Sequence, residues 1–388
     1  MANTLTGLIP DLYEAIDVVS RELVGFIPSV TLDASAERAA VNQPILVPIT
    51  PAAPAEDVTP GQLPPDDGDQ NVGNTQILIA FSRMVPFRWQ GEEQKGLNAH
   101  GPGYTNIRRD QIVQAMRTLT NEVEGHVGSL VASGSRAFGT VGTTPFGTDL
   151  SATAGLRKIL SDNGAPLSDL QAVVSTTVGA NLRKLQQLTF ANEAGTTELR
   201  AQGTLLDLHG FKLRESAGIN DVAAGTVTGA VTGTGAAGSS VAFQNAVTIT
   251  TPAGGAANIV AGDVVAFAGD TNQYVVASGL ILGASASGTL LLNNPGLRTT
   301  ISGAAITVLG TGFRDFAFNR SALVLVTRAP ALPEEGDMAS DRVIIQDERS
   351  GLAFEVAMYP QYRRVRYEVS MAYGFANIKP EHTALLLE

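Results

Sequence analysis

Cysteine is absent from the 388-residue sequence. That excludes a disulfide framework, a thiolate metal site, a cysteine nucleophile and an iron–sulfur cluster, and it leaves the redox compartment open. Charge is scarce as well: 16% of residues are Asp, Glu, Lys or Arg, against roughly 25% in ordinary soluble domains. No apolar run approaches about eighteen residues, so no membrane helix is expected. The opening stretch MANTLTGLIPDLYEAIDVV lacks a basic segment and sets Asp11, Glu14 and Asp17 inside its apolar pattern, unlike a signal peptide. A net charge of −11 argues against a dedicated nucleic-acid binder while allowing local basic patches.

Signatures of chemistry are missing too. There is no GxSxG elbow, Walker-type lysine loop or HExxH. His100, His126, His209 and His382 are scattered, and Glu122 with His126 lacks a third ligand. Asp66, Asp67 and Asp69 resemble the start of a calcium loop without its turn and terminal Glu. Gly233 to Gly238 spells GxGxxG, but a dinucleotide loop must open a helix, and SSVAFQNAVTIT has strand character. The expectation is no enzyme, no metal and no cofactor.

What is present is patterned. Leu12, Ile16, Val19, Leu23 and Phe26 predict an amphipathic helix over 11–25, with acids in its first turns where the helix dipole favours them. NQPILVPIT and NTQILIAFSRMVPFRW predict two edge-like strands within 42–90. Between them lie five prolines, the acids Glu56, Asp57, Asp66, Asp67 and Asp69, and no basic residue. Such a stretch cannot fold alone, and it reads as a disordered linker or as a projecting hairpin that orders against a neighbour. Ile112, Met116, Leu119, Val123, Val127 and Leu130 predict a long helix over 108–133, weakened by Gly125 and Gly128. Residues 150–216 alternate: a helix in SATAGLRKILSDNG, a strand in LQAVVSTTV, a helix in ANLRKLQQLTF and a strand ending TLLDLHGFKLRES.

At Ser216 the composition breaks. Up to Phe313 the only charges are Asp221, Asp263, Asp270 and Arg298, among short β-rich runs such as GDVVAFAG, NQYVVASG and GTLLLN. Six such runs with turn signals suggest a small closed barrel or a sandwich inserted into a mixed α/β body. Arg363, Arg364 and Arg366, inside YPQYRRVRYEVSMAYGF, are the densest basic cluster. Read as one strand, it puts Arg364 and Arg366 beside Tyr362 and Glu368, with Arg363 facing away. Phosphate contact and inter-subunit or internal salt bridges both suit it.

This layout resembles the major capsid proteins of tailed bacteriophages, the Hong Kong 97-like α+β fold, and most closely the podovirus coat proteins with an extra β-barrel insertion. The phrases GDVVAFAGDTNQYVV, NNPGL and FAFNRSALVLVTRAP carry the likeness. By resemblance the chain divides into an N-terminal arm (1–41), an E-loop hairpin (42–90), a P-domain with spine helix (91–149), a first A-domain part (150–216), a barrel insertion (217–312), and A-domain and P-domain strands (313–388). The resemblance implies a non-enzymatic subunit that forms hexamers and pentamers of an icosahedral virion shell around double-stranded DNA, assembled in the bacterial cytoplasm. Its implied partners are other copies, a scaffolding protein, the portal protein and, left open, a decoration protein; no membrane is involved. No long removable segment precedes the arm, so scaffolding is expected to be a separate protein. Asp11, Glu14 and Glu22 are candidates for scaffold contact, and Asp263 and Asp270 for contacts on the insertion's surface. The family's covalent cross-link needs a Lys–Asn pair near a Glu; no such set is identifiable, and the E-loop tip has no lysine. An encapsulin-like nanocompartment shell and a β-rich tail or adhesin protein are the alternatives.

Overall fold

The computed structural model describes residues 24–49, 73–100, 103–185, 207–238, 243–346 and 350–388, with 57, 58, 60, 188 and 205. The expected arm helix and hairpin tip fall almost wholly outside the described residues.

Four helices are described. They are α1 (Gly91–His100), α2 (Tyr104–Gly128), α3 (Ser151–Asp162) and α4 (Thr176–Lys184). The long predicted helix begins four residues early, at Tyr104, and tightens into a 3₁₀ turn at Ser129–Ser133. Its stripe of Leu119, Val123 and Val127 is buried against Val369, Met371 and Tyr373 of the sheet beneath. Each such side chain contributes about 1.5–3 kcal/mol of burial.

That sheet is built on the 14-residue strand Arg364–Asn377. Phe81–Gln90 pairs along one edge; Ala353–Gln361 and Leu323–Pro330 share the other. Thr31–Ala39 extends the sheet in parallel beside Leu323–Pro330, and Asp341–Gln346 ends it. A two-stranded ribbon, Pro44–Ile49 with Gly73–Leu78, leaves this sheet and, among the described residues, pairs only with itself.

A second sheet runs Arg136–Gly139, Thr383–Leu387, Gly312–Asn319, Leu170–Val174, Phe211–Glu215. Every residue of Leu170–Val174 is buried, as expected of a strand covered on both faces. The strand predicted through LQAVVSTTV stops at Val174. Ser175 breaks it: its Oγ accepts the Val178 N–H at 3.2 Å and so starts α4 at Thr176, ahead of the predicted helix.

The charge-poor stretch forms a closed ring. Its six strands, in spatial order, are Val264–Phe267, Ile301–Val308, Thr232–Gly235, Ala246–Thr250, Ser287–Leu292 and Gln273–Ser278, the last pairing back to the first. Thr226–Thr228, Ala256–Ile259 and Leu280–Leu282 make a small sheet beside it. The ring is filled by its own core, including Val247, Ile249, Phe267, Val276 and Leu290. The chain enters through Asp221–Val222, which pairs with Gly312 and Phe313 where it leaves. The barrel is also stitched to the body sideways, because Gln273 and Tyr274 pair with Ala137 and Arg136.

Candidate interaction surfaces

Tyr362 and Arg363 occupy the turn between Ala353–Gln361 and Arg364–Asn377, where Gln361 pairs with Arg364. The expectation of one continuous strand through the arginines is therefore corrected. Arg363 takes the left-handed conformation, φ 54°, which reverses the chain and breaks the alternation of faces. Its guanidinium lies 5.7 Å from the centre of the exposed Tyr362 ring. Arg366 is held by Glu368, and its Nη2 sits 3.8 Å from Met84 Sδ. Among the described residues neither Arg363 nor Arg364 has an ion-pair partner, and both are exposed. The turn and the start of α1 frame an open cleft of about 690 Å³, lined by Trp89, Glu92, Gln94, Gln361, Arg363 and Arg364. Two exposed guanidiniums, one on the turn and one at the start of the next strand, can meet a carboxylate or a phosphate from another chain.

The barrel aspartates do different work from that expected. Asp263 is fully buried and is no surface contact. Both its oxygens accept the Gly225 N–H at 3.1 Å, and Oδ2 also accepts the Val260 N–H at 2.8 Å. Arg314, equally buried, reaches the carbonyl of neighbouring Gly262, and burial holds its pKa below the usual arginine value. Asp270 is half-buried and structural: it accepts the Asn272 N–H at 3.0 Å and the Tyr274 hydroxyl at 2.6 Å. Burial, then Asp270, push the Tyr274 pKa up.

Those contacts belong to a polar seam that the sequence did not reveal. Arg136, 1% exposed, donates to Asn272 Oδ1 (2.8 Å), Asn163 Oδ1 (2.9 Å) and the Ile159 carbonyl (3.2 Å). It ties α3, the body sheet and the barrel turn together. A second buried cluster joins Asp315, Ser175 and Glu388. Asp315 Oδ1 accepts the Ser175 N–H at 2.7 Å, Oδ2 has no hydrogen-bond partner among the described residues, and Ser175 Oγ donates to Glu388 Oε2 at 2.7 Å. Burial, reinforced by the Glu388 charge, raises Asp315 well above the carboxylate range.

Glu122 and His126 serve packing. Glu122 pairs with Arg83 at 2.7 Å, while His126 stacks on Phe81 and hydrogen-bonds the Tyr373 hydroxyl at 2.7 Å. Gly233 and Gly235 lie in a barrel strand. Asp11, Glu14 and Glu22, and Asp66, Asp67 and Asp69, lie outside the described residues. Among those described, no group of three or more His, Asp or Glu could hold a metal, and no helix is long and apolar enough to cross a membrane.

No protein-family model matches the sequence, and no curated protein matches it. Solved structures do. One titled "Mycobacterium phage Che8" aligns over 99% of this chain and 98% of its own, with 12% identity and a TM-score of 0.50. "Capsid structure of the Cyanophage P-SCSP1u" aligns over 100% and 92%, with 13% identity and a TM-score of 0.51. Identity that low speaks for the fold alone, and the fold that the described residues share with these structures is the Hong Kong 97-like one.

Proposed function

We infer that this chain is the major capsid protein of a tailed bacteriophage, a non-enzymatic subunit that assembles with its own copies into an icosahedral shell. The observation that carries the reading is the whole-chain likeness to the cyanophage capsid. The ribbon supports it. Two strands alone are marginal in water, and this pair packs one face, Ile45, Val47 and Ile77, against a cluster with Ile79, Val326 and Ala372 while its other face stays open. A ribbon that leaves Leu46 and Leu78 about half exposed makes sense as an E-loop completed by a neighbouring subunit.

The finer parts of the reading are these. The closed barrel supports a place in the podovirus-like branch with an insertion domain. Hexamers and pentamers build around a separate scaffolding protein, meet a portal protein at one vertex, and later enclose double-stranded DNA held by non-specific contact. The net acidity suits a container, since dense lysine or arginine contacts would grip packed DNA in a strongly salt-dependent way. Arg363 and Arg364 serve inter-subunit or phosphate contact, whereas Arg366 is already paired. Asp11, Glu14 and Glu22 face the scaffold.

Expression of the full chain with its scaffold, followed by negative-stain imaging, tests the reading. Closed shells containing double-stranded DNA after infection support it. Fibres or tubes would overturn it in favour of a tail protein, and shells filled with a protein cargo in favour of a nanocompartment. Joint substitution of Asp11, Glu14 and Glu22 by Lys should leave the subunit folded and stop scaffold-directed assembly; normal assembly at low and moderate salt would remove the scaffold assignment.

A further inference from the structure

Glu124 lies on the inner face of α2 and is 3% exposed, a position a carboxylate tolerates only when its lone pairs are taken up. Oε1 accepts the N–H groups of Gly25 (2.5 Å) and Phe26 (2.7 Å) and the hydroxyl of Ser216 (2.6 Å), and Oε2 accepts the N–H of Ile27 (3.0 Å). Three successive amides aimed at one carboxylate make an anion nest, here filled from within the chain. The amides belong to the turn that opens the described part of the chain. Ser216 stands at the root of the barrel, and its Oγ in turn accepts the Gly218 N–H at 3.1 Å. One side chain thus joins three segments separated by more than ninety residues on either side.

The backbones around it approach unusually closely. A Cβ on Gly218 would lie 3.3 Å from both Glu124 Cγ and the Gly125 nitrogen, and one on Gly128 would lie 3.2 Å from the Gly218 carbonyl and 3.3 Å from the Phe26 ring. This gives Gly128 a reason: it costs the helix roughly 1 kcal/mol relative to Ala and in return lets the barrel root and Phe26 sit on the helix. An apolar side chain would seat α2 equally well. Only an acceptor with several lone pairs can hold the backbone at Gly25–Ile27 and the barrel root at once.

We propose that Glu124 is a positioning residue that fixes the course of the backbone at Gly25–Ile27 and couples it to the root of the barrel. Oε1 is shared between the Gly25 and Phe26 amides and the Ser216 hydroxyl, so loosening either side changes the hold on the other. The relevance to shell assembly rests on the reading above; the coupling itself is a property of the single subunit.

Hydrogen exchange on the full-length, unassembled chain tests it. Glu124→Gln keeps the shape, removes the charge and turns an N–H group toward one donor. Exchange at Gly25–Ile27 and at Gly218–Val222 should rise by about tenfold or more, while Val247 in the barrel and Val369 in the sheet keep their wild-type rates. Glu124→Asp, with the charge retained, should restore part of the protection. Ser216→Ala, which touches only the barrel side, should change exchange at Gly25–Ile27 by about two- to tenfold. Unchanged exchange at Gly25–Ile27 in Glu124→Gln would overturn the nest. An effect of Ser216→Ala confined to its own loop would overturn the coupling, and this second variant decides the matter even if Glu124→Gln fails to fold. Coupling observed in a chain that never forms shells would sink the capsid reading and leave the proposal standing; shells without coupling would do the reverse.

Discussion

The ribbon and the barrel are both β-structures pushed out of the same body, and they solve the edge problem in opposite ways. The barrel closes on itself, leaves no free edge in its ring and fills the centre with its own side chains. The ribbon has two strands, apolar packing on one face, and an acidic, proline-rich segment at its far end. One closes on itself; the other, in the reading proposed above, is completed by a neighbouring subunit. On that reading, apolar area serves self-closure in one place and a neighbour in the other.

The largest effect that could break this contrast is a charge placed in each element. Ile249→Asp buries an unpaired carboxylate in the barrel core and should cost about 4 kcal/mol or more, read as loss of the barrel's unfolding transition. Leu46→Asp, on the exposed part of the ribbon, should stay within about 0.5 kcal/mol in the free chain yet block shells. Equal destabilisation by the two would erase the distinction. Next comes the seam. Arg136→Met should cost about 2 kcal/mol, because Asp162 keeps Lys158 at 3.1 Å and only neutral acceptors go unmet. Residues 217–312 made alone should still give a β-type circular dichroism spectrum and a cooperative melt. A random-coil spectrum would show that the ring needs the body.

A pH titration separates body from barrel, because Trp89, the single tryptophan, reports on the body. The folded pKa of Asp315 is raised above its unfolded value of about 3.9. The folded state therefore binds the extra proton, and the stabilisation is complete below about pH 4 and is lost as pH rises through the raised folded value. In that window stability should fall by about 1.4 kcal/mol per pH unit, and Asp315→Asn should flatten the slope. A Trp89-detected melt with the same slope in both proteins would refute the assignment. The smallest expected effect involves no change in stability: protease should cut within 51–74 in the free chain and far less in shells. Equal cleavage in both states would make that segment a plain linker.

Much of the chain's layout was legible because it rests on composition and period. The charge gap between Ser216 and Phe313 encloses every strand of the barrel, and the stripe from Ile112 to Val127 is the buried face of α2. Elements that depend on local geometry were harder to see. The turn at Tyr362–Arg363 carries neither Gly, Pro nor Asn, so nothing in RRVR announces a reversal. GEEQKGLNAH holds Gly96 and buries Leu97 alone among its apolar residues, so α1 shows no stripe. The polar anchors were illegible for a different reason. Glu124, Arg136 and Asp315 each find partners from around ninety to well over a hundred residues away, and spacing along the chain holds no trace of such contacts. Asp263 shows the converse: a lone acid in neutral sequence suggests an exposed tip, whereas its scarcity reflects a single buried carboxylate closing a turn.

The sideways stitch between Tyr274 and Arg136 has a consequence for how this chain could be shortened or varied. Because Asp221–Val222 and Gly312 are neighbours, a short turn could replace everything between them without rerouting the body. Yet the same excision would strip the outer side of Arg136–Gly139, leaving an open row of amides and carbonyls at the border of the second sheet and taking Asn272 from the Arg136 guanidinium. The barrel is thus also a lid on a sticky margin. A lineage or an engineer removing it would have to blunt that margin with a charge, a proline or a bulge before the trimmed subunit stayed soluble.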